Sequence, residues 1–181
     1  MDVLVGYMSS HDSTRGVAER IAARLGEQGY RVEVRPLDQA GDAGGCDAAV
    51  LGSAIHNGEW LPPAAEFVRR NRNVLAERPV WLFSVATVGD QDSMLAPTVT
   101  RILRRLGTQP KGLAAFREII HPQDHHGFVG AVERDHYPLV GRLVYRAMGG
   151  RYGDHRNWNE IDVWADGIAR QLAARQRNRQ T

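Results

Sequence analysis

Apolar residues alternate along the chain between short continuous runs and stripes with helical spacing. The first run, at residues 3–7, has the length and composition of a buried strand. It is followed by a stripe in which every fourth residue from Val17 to Leu25 is apolar, which predicts an amphipathic helix ending near Gly26 or Gly29. The chain therefore begins with a strand, a polar loop and a helix.

The same alternation continues to the end of the chain. Further strands are predicted where apolar residues alternate or run together, at 31–35, 48–51, 79–85 and 114–120. Further helices are predicted where apolar residues have helical spacing, at 62–75, 99–106 and 157–172. The last helix opens with Asn157 and Glu160, the spacing of a capping box. Residues 121–156 are predicted to be an irregular insertion, in which 139–148 again has helical spacing.

Strands that alternate with helices, without hairpins between them, predict parallel strands. The expected fold class is therefore α/β, a doubly wound five-stranded parallel sheet with helices on both faces, in a single domain of residues 1–181. Ligands of such sheets bind outside the carboxyl ends of the strands. Functional residues are accordingly expected in the loops after the first, third and fourth strands.

Composition narrows the function classes. The 23 basic residues nearly balance the 21 acidic ones, so the chain carries no dense positive field of the kind that binds nucleic acid. No apolar run approaches the ~18 residues of a membrane helix, and residues 1–20 lack the pattern of a signal peptide, so a cytoplasmic location is expected. The one cysteine, Cys46, makes no internal disulfide.

The loop after the first strand is rich in hydroxyl groups and leads directly into a helix. Its residues are Ser9, Ser10, His11, Asp12, Ser13 and Thr14. Hydroxyls and free backbone N–H groups at a helix N-terminus form an anion site that fits a phosphate. The alternative is that Ser13 or Thr14 merely caps the helix. The chain contains neither a Walker loop nor the glycine fingerprint of dinucleotide-binding proteins.

The loops after the third and fourth strands complete a pattern. The first of these contains Ser53, Ala54, Ile55, His56, Asn57, Gly58 and Trp60. The second contains Ser84, Val85, Ala86, Thr87, Val88, Gly89 and Asp90. Together with the hydroxyl-rich loop, they resemble the three segments with which the flavodoxin family binds FMN: the phosphate loop, the segment over one edge and face of the isoalloxazine, and the loop at its pyrimidine end. The resemblance implies that these residues bind FMN.

The segment before the last helix resembles one branch of that family. Two glycines at 149–150 are followed by Gly153, Asp154, Asn157 and Trp158, as in the flavodoxin-like menaquinone-dependent protoporphyrinogen oxidases and their uncharacterised relatives. This resemblance implies an oxidoreductase with noncovalently bound FMN. Its substrate would be a flat organic molecule such as a porphyrinogen, a quinone or a secondary metabolite, admitted across the insertion.

Three residues of the flavin loops have alternative interpretations. Trp60 is expected to stack on the flavin ring, or else to pack on Phe67 at a helix entry. Gly58 would let the backbone approach flavin N5, or else form a plain turn. Asp12 replaces a glycine of the family's phosphate loop: it tolerates a left-handed backbone, but its carboxylate repels a phosphate unless it points to solvent or pairs with His11 or Arg15.

Histidines are the candidate acids and bases. His56 lies in the second flavin loop, and His121, His125 and His126 follow the fifth predicted strand, at the edge where the flavin is expected. Their alternative role is that of a solvated loop. Their spacing, including that of His136, matches no zinc signature, so no metal is predicted.

Three functions remain open. The first is an FMN-dependent oxidoreductase that acts on a small-molecule substrate or quinone. The second is an electron carrier with a redox partner protein, against which stands the formal net charge of +2, because carrier flavodoxins use acidic surfaces to dock. The third is a flavin-free interaction domain, raised by Asp12. The apolar stretch at 139–148 with its flanking arginines predicts either a core helix or peripheral contact with a membrane surface.

Overall fold

A computed structural model describes residues 1–107, 109–136 and 138–180; Thr108, Tyr137 and Thr181 of the predicted domain lie outside the described residues. The strands are β1 (Asp2–Met8), β2 (Arg31–Pro36), β3 (Ala48–His56), β4 (Glu59–Trp60), β5 (Val80–Ala86), β6 (Asp124–Val129), β7 (Ala131–Val132) and β8 (Gly153–Asp154). The helices are α1 (Ser13–Glu27), α2 (Pro62–Arg70), α3 (Arg72–Ala76), α4 (Pro97–Leu106), α5 (Leu113–Ile120), α6 (Leu139–Ala147) and α7 (Trp158–Gln180).

The predicted fold class is confirmed. Five parallel strands form a sheet in the order β2-β1-β3-β5-β6, and β4 pairs antiparallel with β3 outside that path. On one face, α1 and α7 pack over Val50, Trp81 and Phe83; on the other, α2, α3 and α5 pack over Leu51 and Leu82. Because both faces of the central strands are covered, their sequences are apolar at successive positions rather than at alternate ones.

The prediction of a strand at 114–120 is wrong. That segment belongs to α5, in which Leu113, Phe116 and Ile120 are buried, three and four residues apart, as on one face of a helix. The fifth parallel strand is β6, an edge strand with mainly polar residues. Its polar side chains have partners on α7 and β5: Asp124 accepts a hydrogen bond from the Trp164 indole at 2.8 Å, and His125 lies 2.8 Å from the Ser84 hydroxyl. Such a strand has no apolar run by which it could be recognised.

The predicted absence of hairpins is also wrong at one place. Asn57 and Gly58 connect β3 to β4 with φ angles of 53° and 79°. Two residues with positive φ are the requirement of a type I′ hairpin turn, for which Asn-Gly is the preferred pair. The chain therefore reverses after His56 and brings Trp60 back beside Ile55.

The insertion is shorter and more ordered than predicted, because β6 takes up part of it. After β6, the antiparallel strands β7 and β8 pair with each other and enclose a turn at Arg134–His136 and helix α6. Asn157 caps α7 as predicted, its Oδ1 accepting the Glu160 N–H at 3.1 Å, but the Glu160 side chain binds His126 instead of completing the capping box. Among the described helices, none is long and apolar enough to cross a membrane.

Candidate functional site

A cavity of about 310 Å³ lies at the carboxyl ends of β1, β3, β5 and β6. Its described lining residues are Ser9, Ser10, His11, Ser13, Thr14, Ala54, Ile55, His56, Val85, Ala86, Thr87, Gly130, Ala131, Val132, His136 and Pro138. The first eleven come from the three loops in which the sequence predicted functional residues, and the last five come from the insertion. Both the position and the volume are those of small-molecule sites in doubly wound sheets.

A larger groove of about 800 Å³ lies along α4, rimmed by Arg101, Arg104, Arg105 and Arg151. Two of these arginines are bound to the backbone of the loop that precedes α4, through the carbonyls of Gly89 and Ser93. The smaller cavity is the better candidate site, because it lies where the strand ends converge and because it contains buried polar atoms that lack partners.

Two hydroxyl groups in the cavity wall are buried without hydrogen bonds. Ser9 Oγ and Thr14 Oγ1 have no partner within the described part of the chain, and Thr14 is fully buried. Burying a hydroxyl without a partner costs about 1–3 kcal/mol, and a bound ligand that supplies the partner would remove this cost. Thr14 belongs to the first turn of α1 and Ser9 to the loop that leads into it. At such a helix N-terminus, free N–H groups and the helix dipole favour an anion.

The other hydroxyl residues of the first loop have different roles. Ser13 Oγ accepts a hydrogen bond from the Ala131 N–H at 2.8 Å and so ties the loop to the insertion. Gly130 makes this approach possible, since a Cβ at that position would lie 2.6 Å from Ser13 Oγ. Ser10 lines the cavity and is exposed.

Asp12 adopts the left-handed conformation that the sequence predicted it to tolerate, with φ of 55°. Asp12 is exposed, and the two basic side chains nearest to it in sequence, His11 and Arg15, interact with other residues. Arg15 pairs with Glu19 at 2.7 Å, and the His11 ring stacks on His136. The turn into α1 is therefore preserved without glycine, while one carboxylate stands at the rim of an anion site.

The second loop contributes Ala54, Ile55 and His56 to the cavity wall. Ser53 is buried beneath it, where its Oγ donates to the Ala54 carbonyl at 2.8 Å and accepts from the Leu61 N–H at 3.0 Å. Asn57 and Gly58, also predicted to bind cofactor, form the exposed hairpin turn instead.

Trp60 lies in the core and is only 6% exposed. Its indole N–H donates to Ser84 Oγ at 2.8 Å, and its ring packs against Phe116 in the cluster that also contains Phe67. Trp60 therefore packs in the core near Phe67, which was the second of the two interpretations of this residue. The hairpin turns it away from the cavity wall.

In the third loop, too, only some of the residues predicted to bind the cofactor line the cavity. Val85, Ala86 and Thr87 line the cavity, whereas Val88, Gly89 and Asp90 turn toward β6. Asp90 exchanges two hydrogen bonds with Gly127: its N–H donates to the carbonyl at 2.8 Å, and its Oδ2 accepts the Gly127 N–H at 2.9 Å. Ser84, predicted with this loop, is buried between Trp60 and His125.

Of the predicted catalytic histidines, the structure brings only His56 to the cavity. His121 ends α5, and His125 and His126 lie early in β6, because the segment predicted to be the fifth strand is a helix. His125 precedes Gly130 by five residues. At the rise of a strand this is roughly 16 Å. His125 and His126 therefore belong to the body of the sheet and His121 to the end of α5, so none of the three lies at the carboxyl edge.

His125 and His126 are structural instead. Burial lowers the pKa of His125 to about 4, so its neutral ring can accept the hydroxyl proton of Ser84 at Nε2, at a distance of 2.8 Å. His126 Nε2 lies 2.8 Å from Glu160 Oε1. Burial raises the pKa of Glu160, an effect that the hydrogen bond from His126 opposes.

The five lining residues of the insertion were not predicted from the sequence to line the site. Among them, His136 stands out, because its ring stacks on His11 with centroids 3.9 Å apart and planes 8° from parallel. If β6 had been predicted as a strand, these residues would have been expected at the carboxyl edge of the sheet, because residues 130–138 follow it there. Without that strand, the segment had no predicted place.

The cavity thus combines an anion site with an apolar wall. The wall is formed by Ala54, Ile55, Val85, Ala86, Val132 and Pro138. The ionisable residues among its described lining are His11, His56 and His136. This arrangement suits a small molecule with an anionic group at one end and an apolar part at the other.

Comparisons with known proteins agree with this architecture. The profile of the family described as "Flavodoxin domain" matches residues 4–155. No curated protein matches the chain in sequence. Among solved structures, the chain is similar to rubredoxin oxygen:oxidoreductase from the anaerobe Desulfovibrio gigas, with 17% identity and a TM-score of 0.59 over 96% of this chain and 36% of that chain. The chain therefore spans little more than a third of that oxidoreductase.

Two similar structures are flavodoxins of nearly matching length. A flavodoxin from the domain Archaea has 14% identity and a TM-score of 0.57, over 96% of this chain and 99% of that one. An oxidised flavodoxin from Bacillus cereus has 13% identity and a TM-score of 0.52, over 82% of this chain and 96% of that one. At these identities the likeness establishes the fold.

Proposed function

The chain belongs to the flavodoxin domain family, and from this we propose that it binds FMN noncovalently in the cavity at the strand ends and acts as an FMN-dependent oxidoreductase. The observation that carries the proposal is the pair of buried, unpartnered hydroxyls of Ser9, in the loop after β1, and Thr14, in the first turn of α1. A phosphate would supply the acceptor oxygens that both groups lack. When bound, FMN supplies the redox chemistry, and the protein supplies binding and orientation.

The remaining lining residues suit the rest of the cofactor. Ile55 and Val85 offer apolar surface to a flat ring. His56 is the lining histidine that comes from the second flavin loop, and it is the residue we assign to hold or move a proton beside a substrate.

The substrate we propose is a flat organic molecule such as a porphyrinogen, a quinone or a secondary metabolite. The support is the placement of the insertion, which puts Val132 and Pro138 in the cavity wall and pairs β8 with β7 beside it. The segment with which the sequence resembles the menaquinone-dependent protoporphyrinogen oxidases therefore borders the cavity. The loop at 85–87 supplies no aromatic side chain to cover a ring from its side.

Titration of the purified chain with FMN tests the proposal. We expect stoichiometric binding, seen as quenching of flavin fluorescence and a shift of the flavin absorbance bands. An unchanged spectrum with FMN in excess would leave the flavin-free domain as the better account. With FMN bound, anaerobic mixing with reduced small molecules distinguishes enzyme from carrier. Bleaching of the flavin only by reduced proteins, and never by a porphyrinogen or quinol, would favour the carrier.

We also propose that α6 rests on an anionic membrane surface. Leu139, Val140, Leu143 and Val144 are 78%, 76%, 76% and 53% exposed, so α6 presents an apolar face to its surroundings. Burying a leucine side chain in an apolar phase contributes about 1.5–3 kcal/mol, and arginines on the same helix attract anionic headgroups. Pro138 lines the cavity and directly precedes α6, so an apolar substrate would reach the cavity from the bilayer.

Co-sedimentation with anionic liposomes tests this contact. The double variant Leu139→Glu/Leu143→Glu should reduce pelleting at least about tenfold, because two apolar anchors are lost and two negative charges added. Ile102→Glu is the matched control, since Ile102 is 58% exposed on α4 and should be neutral. Equal pelleting of all three proteins would remove the membrane proposal and leave FMN binding untouched.

A further inference from the structure

Two histidines from distant segments meet at the phosphate end of the cavity. His11 belongs to the hydroxyl-rich loop, and His136 belongs to the turn between β7 and α6. Their rings stack nearly in parallel, 3.9 Å apart, and both line the cavity. The stack joins the insertion to the loop whose hydroxyls are unpartnered.

The ring of His136 accepts a hydrogen bond from the backbone. The Glu133 N–H donates to His136 Nδ1 at 3.1 Å, which requires a lone pair on that nitrogen and places the ring proton on Nε2. A second proton on the ring would break this bond. Two imidazolium rings stacked at this distance would also repel each other, whereas one imidazolium over one neutral ring is attracted to it.

A phosphate in this cavity has few sources of countercharge. Among the described lining residues there is no lysine or arginine. The charged or titratable side chains on the segments around the stack are Asp12, Arg15, His56, Glu133, Arg134, Asp135, Asp154, His155 and Arg156. Carboxylate oxygens of Glu133 and Asp135 and a ring nitrogen of His136 lie within 4.8 Å of one another. Arg156 pairs with Asp154 at 2.6 Å, beside Gly16 in the first turn of α1. Arg15 is paired with Glu19, and the Arg134 guanidinium lies 5.8 Å from the centre of the Tyr152 ring. Among the described lining residues, the histidines are the ones that can carry a positive charge.

We propose, on the basis of the proposed function, that His11 takes up a proton from solvent when the phosphate of FMN binds, and that the neutral ring of His136 holds the resulting imidazolium by stacking. The insertion thereby completes the phosphate site. The selectivity for FMN over riboflavin, which lacks the phosphate, becomes dependent on pH. It increases about tenfold from alkaline to neutral pH, as expected when a neutral donor becomes a charged one.

Calorimetry measures the proton directly. FMN is titrated into the protein at about pH 7.5, on the alkaline side of the range in which histidines ordinarily titrate, in buffers that differ in ionisation enthalpy. The phosphate of the ligand is already a dianion there, since its second ionisation lies near pH 6. We expect uptake of up to about one proton with FMN and none with riboflavin.

Three variants separate the roles of the two rings. His11→Gln should abolish the proton uptake and flatten the pH dependence of the FMN-to-riboflavin ratio. His136→Phe keeps an aromatic ring stacked on His11, so the proton uptake and the pH dependence should both be retained. His136→Gln removes the ring and should weaken FMN binding several-fold, while riboflavin binding is unchanged. His121→Asn, on an exposed residue far from the cavity, is the control.

The outcomes distinguish this inference from the proposed function. If neither flavin binds, both are overturned. If both flavins bind, but uptake is absent from the parent protein, persists in His11→Gln, or disappears only in His56→Gln, the assignment to His11 is overturned while FMN binding stands. Retained thermal stability and riboflavin binding show that each variant is folded.

Discussion

Replacing Thr14 with valine is expected to lower the affinity for FMN about 10- to 100-fold, the value of one hydrogen bond to a charged group. Thr14 Oγ1 is buried in the cavity wall without a partner, so a bound phosphate would be its acceptor. Valine has nearly the same shape but no hydroxyl. In the absence of FMN, Thr14→Val should be as stable as the parent chain or more stable, because an unsatisfied polar group has been removed.

Thr100→Val is the matched control for this experiment. Thr100 is also a buried threonine in the first turns of a helix, but its hydroxyl bonds to Ser93 Oγ at 2.8 Å, away from the cavity. This variant should lose stability and keep its FMN affinity, the opposite of Thr14→Val. Affinities come from fluorescence titration and stabilities from thermal unfolding without flavin. An unchanged affinity in Thr14→Val would show that the phosphate does not reach this hydroxyl.

The parts of the site that the sequence predicted are those in which a local pattern and the topology agree. Residues 9–14 follow an unmistakable apolar strand and precede a regular helical stripe, so their place at the carboxyl edge follows from the chain order alone. The cavity-lining parts of the loops at 53–60 and 84–90 were found in the same way. Within those loops the sequence could not tell which side chains face the cavity, since that depends on turns.

The wrong position of the fifth strand and the wrong placement of His125 and His126 have the same physical cause. Asp124, His125 and His126 look like loop residues, but Trp164, Ser84 and Glu160 satisfy them across the sheet faces. A polar edge strand stabilised by tertiary partners leaves no periodic apolar pattern. Because β6 was not predicted, the residues after it were not expected at the carboxyl edge of the sheet. The stack of His136 on His11 therefore could not be predicted.

The expectation that Trp60 stacks on a flavin ring differs from the structure for a more local reason. The pair Asn57 and Gly58 is a recognised hairpin sequence, and weighing it would have placed the tryptophan two residues into a returning strand. The family resemblance favoured stacking on a flavin instead. The structure resolves the conflict through the Ser84 hydroxyl, which gives the buried indole N–H the acceptor that it needs.

Acid should destabilise the folded chain by way of His125. Burial is the main cause that lowers the pKa of His125 from 6.5 to about 4, and nearby Arg117 adds to it. Between those two values the unfolded chain binds a proton that the folded chain excludes, so the free energy of unfolding falls as the pH falls through this window. The stabilisation is fully present above pH 6.5, and its loss amounts to about 2–3 kcal/mol once the pH reaches the folded-state value.

His125→Gln should remove most of this acid sensitivity, because glutamine can still accept the Ser84 hydroxyl proton but does not titrate. Urea unfolding at neutral pH and near pH 4 gives the loss of stability for each protein, and carboxylates that titrate in the same range cancel in the comparison. His121→Asn, at an exposed helix end, should lose as much stability in acid as the parent chain. An equal loss in His125→Gln would mean that the buried imidazole is protonated in the folded state, and the hydrogen bond from Ser84 would then have to run in the opposite direction.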